Sequence, residues 1–272
     1  MTAETVRGAI AAAARTFDSP TARLDAELLM AHAIGVTRET MLMRHLDDPV
    51  PAAFTSLAER RASHEPVAYI TGIRDFWTVT LHVAPGVLIP RADSETLIEA
   101  AVAHFGARAP RTVLDLGTGS GALLLAALDQ WPSASGIGVD ESEAALWIAR
   151  DNAHRLGMEA RARILRGGWA GVAGPHDLIL CNPPYVAAGA ALPRGVMDHE
   201  PAEALFAGED GLADYRRIAP VLAAQIAPGG VACIEIGSDQ GESAAALFRA
   251  QGLNVTLSPD LEGRDRCLVV TP

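Results

Sequence analysis

The sequence predicts an α/β protein in which a mostly parallel sheet is covered by helices on both faces and preceded by a helical segment. From about residue 88, short runs rich in Val, Ile and Leu alternate with helical stretches. This pattern is typical of a parallel sheet whose strands are connected by helices. Residues 1 to about 62 instead have the apolar spacing of helices.

The first part of the chain contains clear helix and turn signals. Ser19-Pro20 is a favourable helix start, and the apolar spacing that follows ends at Gly35. Thr37 begins a further helix. Residues 75–83 alternate like a hairpin arm, and Pro85-Gly86 is expected to turn the chain.

The second part alternates strands and helices. The expected strands are 112–116, 135–139, 162–165, 178–181, 231–236, 253–257 and 267–270. The main expected helices are 122–128, 143–156, 214–227 and 240–251. The connection between the last two strands is too short for a helical crossover, so we expect these strands to pair antiparallel.

Composition restricts the class of protein. The chain has 272 residues, of which 49% are apolar, enough for a substantial core. Its 22 basic and 33 acidic residues give a net charge of −11, which argues against a basic surface that grips polyanions. Every basic residue is Arg, so chemistry that needs a lysine is excluded.

Cysteine usage and the N-terminus indicate a cytoplasmic protein. Cys181, Cys233 and Cys267 lie in apolar runs without CxxC or zinc-type histidine spacing, so we expect reduced core cysteines and no metal. The N-terminus lacks the profile of a signal peptide. No apolar stretch approaches the ~20 residues of a membrane span, so we expect no membrane contact.

A glycine cluster follows the first strand of the second part. Gly117, Gly119 and Gly121 let the backbone turn sharply and let a ligand approach the main chain. Asp140 ends the next strand, where an acid accepts from ribose hydroxyls and disfavours a 2′-phosphate. The pattern fits both a dinucleotide fingerprint and the loop of S-adenosylmethionine enzymes, and the simplest alternative is an ordinary strand–helix turn.

A second motif, Asn182-Pro183-Pro184-Tyr185, follows the apolar strand 178–181. This tetrapeptide lies at the carboxyl edge of the predicted sheet, where open α/β sheets bind ligands. The Asn182 amide oxygen and the Pro183 carbonyl can accept both hydrogens of a planar –NH2 group, while the Tyr185 ring packs on its plane. Such a nitrogen needs orientation towards an electrophile rather than a strong base. The sulfonium methyl of S-adenosylmethionine is a suitable electrophile, and a nicotinamide is not.

Together these motifs resemble class I methyltransferases that act on amino groups conjugated to carbonyls or rings. The flanking segments narrow the resemblance to the release factor glutamine methyltransferase family. These segments are 65–77 (EPVAYITGIRDFW), 88–95 (LIPRADSE) and the residues 199–216 that include HEP, DGL and YR. The likeness extends from about residue 20 to the C-terminus.

The resemblance implies three parts: a helical substrate-recognition domain (1–72), a hairpin linker (73–87) and a catalytic domain (88–272). It implies the sheet order 3-2-1-4-5-7-6. It also implies methyl transfer from S-adenosylmethionine, leaving S-adenosylhomocysteine, to the side-chain amide nitrogen (N5) of the glutamine in the Gly-Gly-Gln motif of class I peptide chain release factors. We expect a monomer that holds no nucleic acid stably.

The resemblance also assigns residues to the site. The cofactor would be held by Gly117, Thr118, Gly119, Ser120, Gly121, Asp140, Trp169 and Asn182. The substrate glutamine would be held by Asn182, Pro183, Pro184 and Tyr185, with Asn182, Pro183 and Tyr185 taking part in catalysis. The chain departs from the family at Gly168, where a polar or acidic residue is common, and mildly at Ala92 and Ser94.

Several other residues attract attention without a clear role. The eight histidines form no recognisable ligand set. Asp115 could contact the cofactor or hold the glycine loop. Arg91 and Glu95 could border the cofactor or form an ion pair at a helix start. Phe76 and Trp77 are expected to pack the hairpin onto a domain.

Three other functions compete with this interpretation. An adenine-N6 nucleic-acid methyltransferase would present the same flat –NH2 group to the tetrapeptide. Charge disfavours it, because residues 1–85 carry 8 Arg against 10 acids and the remaining residues carry the other −9 of the net charge. In a nicotinamide dehydrogenase the tetrapeptide would have no function. A non-catalytic scaffold would bind a partner protein through the N-terminal helices.

Overall fold

The computed structural model describes residues 5–172 and 174–272. Its strands, in chain order, are β1 (Ile73–Phe76), β2 (Val79–His82), β3 (Thr112–Leu116), β4 (Ser135–Asp140), β5 (Ala162–Arg166), β6 (His176–Cys181), β7 (Ile226–Glu235), β8 (Asn254–Pro259) and β9 (Asp265–Thr271). Its helices are α1 (Val6–Ala14), α2 (Ala22–Ile34), α3 (Arg38–Arg44), α4 (Ala53–Ala62), α5 (Val67–Thr71), α6 (Glu95–Phe105), α7 (Ala122–Gln130), α8 (Glu143–Arg155), α9 (Arg194–Met197), α10 (Ala213–Leu222) and α11 (Gly241–Arg249).

Seven of the described strands form one sheet, in the order β5-β4-β3-β6-β7-β9-β8. Counted from β3, this order is 3-2-1-4-5-7-6, so the predicted topology is confirmed. β3 to β7 are parallel, and β9 is antiparallel to both β7 and β8. The antiparallel pairing of β8 with β9 confirms the prediction from their short connection.

Helices cover both faces of the sheet because its central strands are apolar on both sides. Leu178 and Leu180 of β6 pack with residues of α6, α7 and α8. Ile179 and Cys181 of the same strand pack with residues of α10 and α11 on the opposite face. Alternation of side chains along a strand therefore gives two separate cores, one in each layer.

Two element boundaries differ from the sequence prediction. α10 ends at Leu222 rather than near 227, and a short 3-10 turn connects it to β7. β7 begins at Ile226 rather than 231, because Ile226 already pairs with His176 at the start of β6. Apolar periodicity did not reveal this extension, since the added residues include Pro228, Gly229 and Gly230.

The hairpin turns earlier than predicted. Residues 75–83 do not form one arm: the chain reverses at Trp77, which has a φ of +54°. The Trp77 backbone N–H donates to the Glu95 carboxylate at 2.8 Å, and its indole N–H donates to Gln130 at 3.2 Å. These contacts hold a left-handed backbone that is uncommon for a large residue. Phe76 and Trp77 pack on the α6–α8 core, as expected.

The helices before Ile73 form a compact unit of their own, which also includes the segment Leu192–His199. The helix predicted after Ser19-Pro20 ends at Gly35, which has a φ of +80°. Thr37 caps the next helix by accepting from the backbone of Thr40. Membership of 192–199 in this unit was not visible in the sequence.

Two acids in this helical unit are buried but paired. Glu27 is 5% exposed and accepts from Arg23 and Arg38 at 2.6 and 2.8 Å. Asp25 is bonded to Arg61 at 2.9 Å. Pairing compensates for the desolvation of these carboxylates, since an unpaired buried charge would be strongly destabilising.

The three cysteines are free and buried, as predicted. Burial raises the pKa values of the Cys181 and Cys267 thiols, so these thiols stay protonated. No helix among residues 5–172 and 174–272 is both long and apolar enough to cross a membrane.

Asn152 of α8 connects the hairpin to the loop after β3. Its Oδ1 accepts from the backbone N–H of His82 at 2.7 Å, and its Nδ2 donates to the carbonyls of His82 and Ser120, both at 2.9 Å. Asn152 is only 1% exposed, so water cannot replace these bonds if the side chain is removed.

Asn152→Ala should therefore lower the free energy of unfolding by about 2–3 kcal/mol, because it leaves three backbone groups unpaired. The measurement is urea unfolding followed by circular dichroism. Asn254→Ala is the matched control, since Asn254 is exposed and makes one bond to the Pro272 carbonyl. Equal unfolding free energies for the two variants would contradict this role of Asn152.

Candidate active site

A cavity of about 430 Å³ lies at the carboxyl ends of the central strands. Its walls come from the loops after β3, β4, β5 and β6, together with the turn before α6 and the start of α10. This volume is in the range of about 300–1,000 Å³ that small-molecule sites occupy. The lining residues used below are Ser94, Gly117, Thr118, Gly119, Ser120, Asp140, Glu141, Gly168, Trp169, Asn182, Pro184, Asp214 and Arg217.

The loop after β3 is held in a left-handed turn. Gly117, Gly119 and Gly121 have φ values of +72°, +57° and +84°, which only glycine adopts easily. The backbone N–H groups of Gly117 and Thr118 both donate to the carbonyl of Val139 on β4, at 2.9 Å. The loop thus folds over the end of the neighbouring strand and leaves backbone along the cavity wall.

Asp140 lies at the end of β4, as predicted, and fixes two loops. One oxygen accepts from the Gly119 N–H and the other from the Ser142 N–H, each at 2.9 Å. Each carboxylate oxygen has a second lone pair. Asp140 can therefore still accept a hydroxyl hydrogen at the cavity wall.

Asp115 holds the glycine loop rather than facing the cavity. It is fully buried, is not among the lining residues, and accepts from the Thr118 hydroxyl at 2.6 Å and the Leu124 N–H at 3.2 Å. Burial raises the pKa of Asp115 to about 7. Of the two roles that the sequence left open, the structure supports the loop contact.

Trp169 lies beside the glycine loop, where a Cβ on Gly117 would be 3.2 Å from its ring. Its indole N–H donates to Asp214 at 2.8 Å, and Arg217 donates to the same oxygen at 3.0 Å. The ring is thereby fixed at the cavity wall.

Glu141 occupies the space next to Gly168. A Cβ added to Gly168 would lie 2.6 Å from Oε1 of Glu141. The absence of a side chain at 168 thus lets a carboxylate from the β4 loop approach this part of the wall. Sequence analysis did not find this contact, because residues 141 and 168 are on different loops.

The tetrapeptide after β6 is divided between the cavity and the core. Asn182 and Pro184 line the cavity, whereas Pro183 and Tyr185 are not among the lining residues. The Tyr185 ring packs on the α10–α11 core, and its hydroxyl donates to Oε1 of Glu235 at 3.1 Å. The Tyr185 ring, which was expected to pack on the plane of the substrate –NH2 group, therefore packs against the core in this structure.

Asn182 is oriented by a residue that the sequence did not identify as functional. Its Nδ2 donates to the Ser94 hydroxyl oxygen at 3.2 Å, across 88 residues of sequence. Ser94 is 3% exposed. The Asn182 backbone oxygen lies 4.0 Å from the position of a Gly117 Cβ, so the tetrapeptide and the glycine loop are neighbours.

Arg91 and Glu95 have separate partners in the structure. Arg91 donates to Glu200 at 2.5 Å, and Glu95 accepts from the Trp77 backbone. They do not pair with each other and are not among the lining residues. Within the described residues, no group of His, Cys, Asp or Glu has an arrangement suited to a metal ion.

The fold of this chain matches that of other solved proteins. Solved structures with the same fold include the catalytic domain of human Mettl16, with a TM-score of 0.58, 15% identity, and coverage of 78% of this chain and 81% of that chain. A methyltransferase from Pyrococcus furiosus has a TM-score of 0.51, 17% identity, and coverage of 70% and 86%. Residues 84–198 match the methyltransferase small domain. Relatives that are 40–44% identical over about nine-tenths of the chain are methyltransferases, so the chain is a methyltransferase.

The particular family follows from closer relatives. Residues 9–72 match the PrmC N-terminal domain. The release factor glutamine methyltransferase of Caulobacter vibrioides is 40% identical over 254 residues, covering 90% of this chain and 88% of that protein. The one of Cereibacter sphaeroides is 44% identical over 250 residues, covering 89% and 88%. The chain belongs to the release factor glutamine methyltransferase family.

Gly117→Ala should disturb the cavity wall more than Gly119→Ala. Both variants force alanine into a left-handed backbone, at a cost of about 1–2 kcal/mol. Only the Cβ at 117 meets the Trp169 ring, since no atom of residues 5–172 or 174–272 outside its chain neighbours lies within 4 Å of one at 119. The NMR signal of the Trp169 indole N–H should move clearly in the first variant. Equal movement in both would contradict the contact.

Proposed function

We propose that this chain transfers the methyl group of S-adenosylmethionine to N5 of the glutamine in the Gly-Gly-Gln motif of class I peptide chain release factors. The observation that carries the proposal is the position of Asn182. This side chain lines the cavity beside the glycine loop, and its Nδ2 is already bonded to Ser94. Oδ1 is thus the part of the amide left to accept from a substrate –NH2 group.

The cavity residues fit the cofactor. Backbone from Gly117 to Gly121 would follow its methionine part, and Asp140 would accept from its ribose hydroxyls. The fixed ring of Trp169 would border the adenine. Bound in this way, the cofactor supplies an electrophilic methyl group on a positively charged sulfur, and S-adenosylhomocysteine remains after transfer.

The chain contributes positioning rather than strong acid–base chemistry. An amide nitrogen is a weak nucleophile because its lone pair is delocalised into the carbonyl. Acceptance of its hydrogens by Oδ1 of Asn182 and the carbonyl of Pro183 would orient the lone pair towards the methyl group. The nitrogen can release its proton to water after the new bond forms. The direct substrate roles of Pro183, Pro184 and Tyr185 stay predictions.

The remaining parts of the chain complete the proposal. Residues 1–72 would recognise the release factor, 73–87 would link the two domains, and 88–272 would carry out the transfer. The enzyme would act in the cytoplasm, because its substrate is a soluble translation factor. It would act as a monomer. The net charge of −11 disfavours stable nucleic-acid binding.

Incubation with radiolabelled S-adenosylmethionine should label a purified class I release factor. Replacing the glutamine of its Gly-Gly-Gln motif by alanine should remove the label, because the accepting nitrogen is then absent. Scintillation counting of the separated proteins measures both results. Labelled DNA or RNA together with an unlabelled release factor would instead support the adenine-N6 activity.

Glu141 would recognise the amino group of the cofactor's adenine. Glu141 lines the cavity together with Asp140 and Trp169, and its carboxylate lies beside Gly168, which has no side chain. No hydrogen bond or ion pair of Glu141 occurs within the described part of the chain, so its oxygens remain available as acceptors. An amino group donates to a carboxylate, whereas a carbonyl at the same ring position is repelled by it.

Glu141→Ala should therefore weaken binding of S-adenosylhomocysteine about tenfold, and weaken binding of its inosine analogue much less. Isothermal titration calorimetry gives both affinities. Glu143→Ala is the matched control, because Glu143 is an exposed acid two residues away that pairs with Arg166. Equal losses for the two ligands would assign Glu141 no part in adenine recognition.

A further inference from the structure

The first and last residues of the tetrapeptide, Asn182 and Tyr185, both lie close to the buried carboxylate of Glu235. Tyr185 donates directly to Oε1 of Glu235, and Asn182 donates to the Ser94 hydroxyl. The Ser94 hydroxyl also lies near enough to Glu235 to lower the pKa of this carboxyl group. Glu235 is the last residue of β7, is fully buried, and follows the pair Cys181–Ile234 of the β6–β7 ladder. It therefore lies beside the tetrapeptide and behind the cavity wall.

One oxygen of Glu235 is left without a hydrogen bond. Among the described residues, no group makes a hydrogen bond of ordinary geometry to Oε2. A buried acceptor without a donor is costly and marks a position that needs an explanation. Ser94 supplies the complementary group: its oxygen is occupied by Asn182, and its own proton needs an acceptor.

We propose that Glu235 is a positioning residue that sets the orientation of the Asn182 amide through Ser94. An ionised carboxylate can only accept, so the Ser94 proton must point to Glu235. The Ser94 oxygen is then free to accept from Asn182, which turns Nδ2 inwards and leaves Oδ1 for the substrate. This inference rests on the proposed function, because it specifies how the same site is kept ready for an –NH2 group.

The orientation depends on the charge of Glu235. Burial raises the pKa of Glu235 to about 7, and the nearby charge of Asp93 also raises it. Ser94, Tyr185 and Arg266 lower this pKa, but their effects are smaller than that of burial. Tyr215 donates to the Glu235 backbone carbonyl, and Tyr215, Cys181 and Cys267 also lie within electrostatic reach of the carboxylate. Protonated Glu235 can donate to Ser94, which reverses both hydrogen bonds and turns Nδ2 of Asn182 to the cavity. Methyl transfer should therefore rise with pH through about 7.

Glu235→Gln tests the direction of the hydrogen bonds without changing the shape of the side chain. The new amide nitrogen would donate to Ser94 and cannot ionise. We expect kcat to fall about tenfold or more, the rise of kcat with pH near 7 to disappear, and the affinity for S-adenosylhomocysteine to stay within about twofold. An unchanged pH profile in a folded variant would overturn the proposal.

Ser94 provides a second test with its own rescue. Ser94→Ala removes the hydroxyl and should lower kcat about tenfold, whereas Ser94→Thr keeps a hydroxyl and should restore most of the loss. Ser243→Ala is the matched control, because this exposed serine on α11 bonds only to the Gln240 carbonyl. Equal kcat values for Ser94→Ala and the wild type would also overturn the proposal.

NMR of the Asn182 side-chain amide separates this inference from the proposed function. In the substrate-free protein, both Glu235→Gln and Ser94→Ala should shift this signal, while Ser243→Ala should not. Shifted signals without labelling of a release factor by the wild type would refute the proposed function alone. Labelling by the wild type with unshifted signals would refute the role of Glu235 alone.

Discussion

The pairing of β3 with β6 is the constraint on which the rest of the site depends. Leu116 and Cys181 are partners at the ends of these parallel strands, so the next residues, Gly117 and Asn182, emerge side by side. Parallel strands end at the same edge, and two loops separated by more than sixty residues thus share one cavity wall. A shift of register by one residue would turn the alternating strand side chains to the wrong layers.

Two buried carboxylates hold the glycine loop and the tetrapeptide in place. Asp115 holds the glycine loop from beneath, through the Thr118 hydroxyl and the Leu124 N–H. Glu235 holds the tetrapeptide from behind, through Tyr185. Both groups are fully buried, and burial raises the pKa of each to about 7. Asp115 and Glu235 each have one carboxylate oxygen without a hydrogen-bond partner among the described residues. These unpaired oxygens lower the stability of the fold at the place where the site needs fixed geometry.

The raised pKa values also affect stability. The folded chain binds protons at Asp115 and Glu235 more tightly than the unfolded chain, in which the pKa values are near 4. Their contribution to the free energy of unfolding is present below pH 4 and is lost as the pH rises through about 7. A site built on buried acids is thus stabilised least at the pH at which Glu235 is ionised.

The sequence by itself determined the mostly parallel sheet, the glycine loop, Asp140 and the tetrapeptide, because these features are encoded by local spacing of apolar, glycine and proline residues. The order of the strands in the sheet came from the resemblance to a known family and not from this spacing. The bend at Trp77, the return of 192–199 to the helical unit, and the contacts of Ser94, Glu141 and Glu235 were decided by tertiary structure. Each of these depends on a partner distant in the chain: Ser94 meets Asn182 across 88 residues, and Glu141 fills a space left by a glycine on another loop. Hydrogen bonds between distant polar side chains leave no periodic trace in a sequence, so only the folded chain shows them.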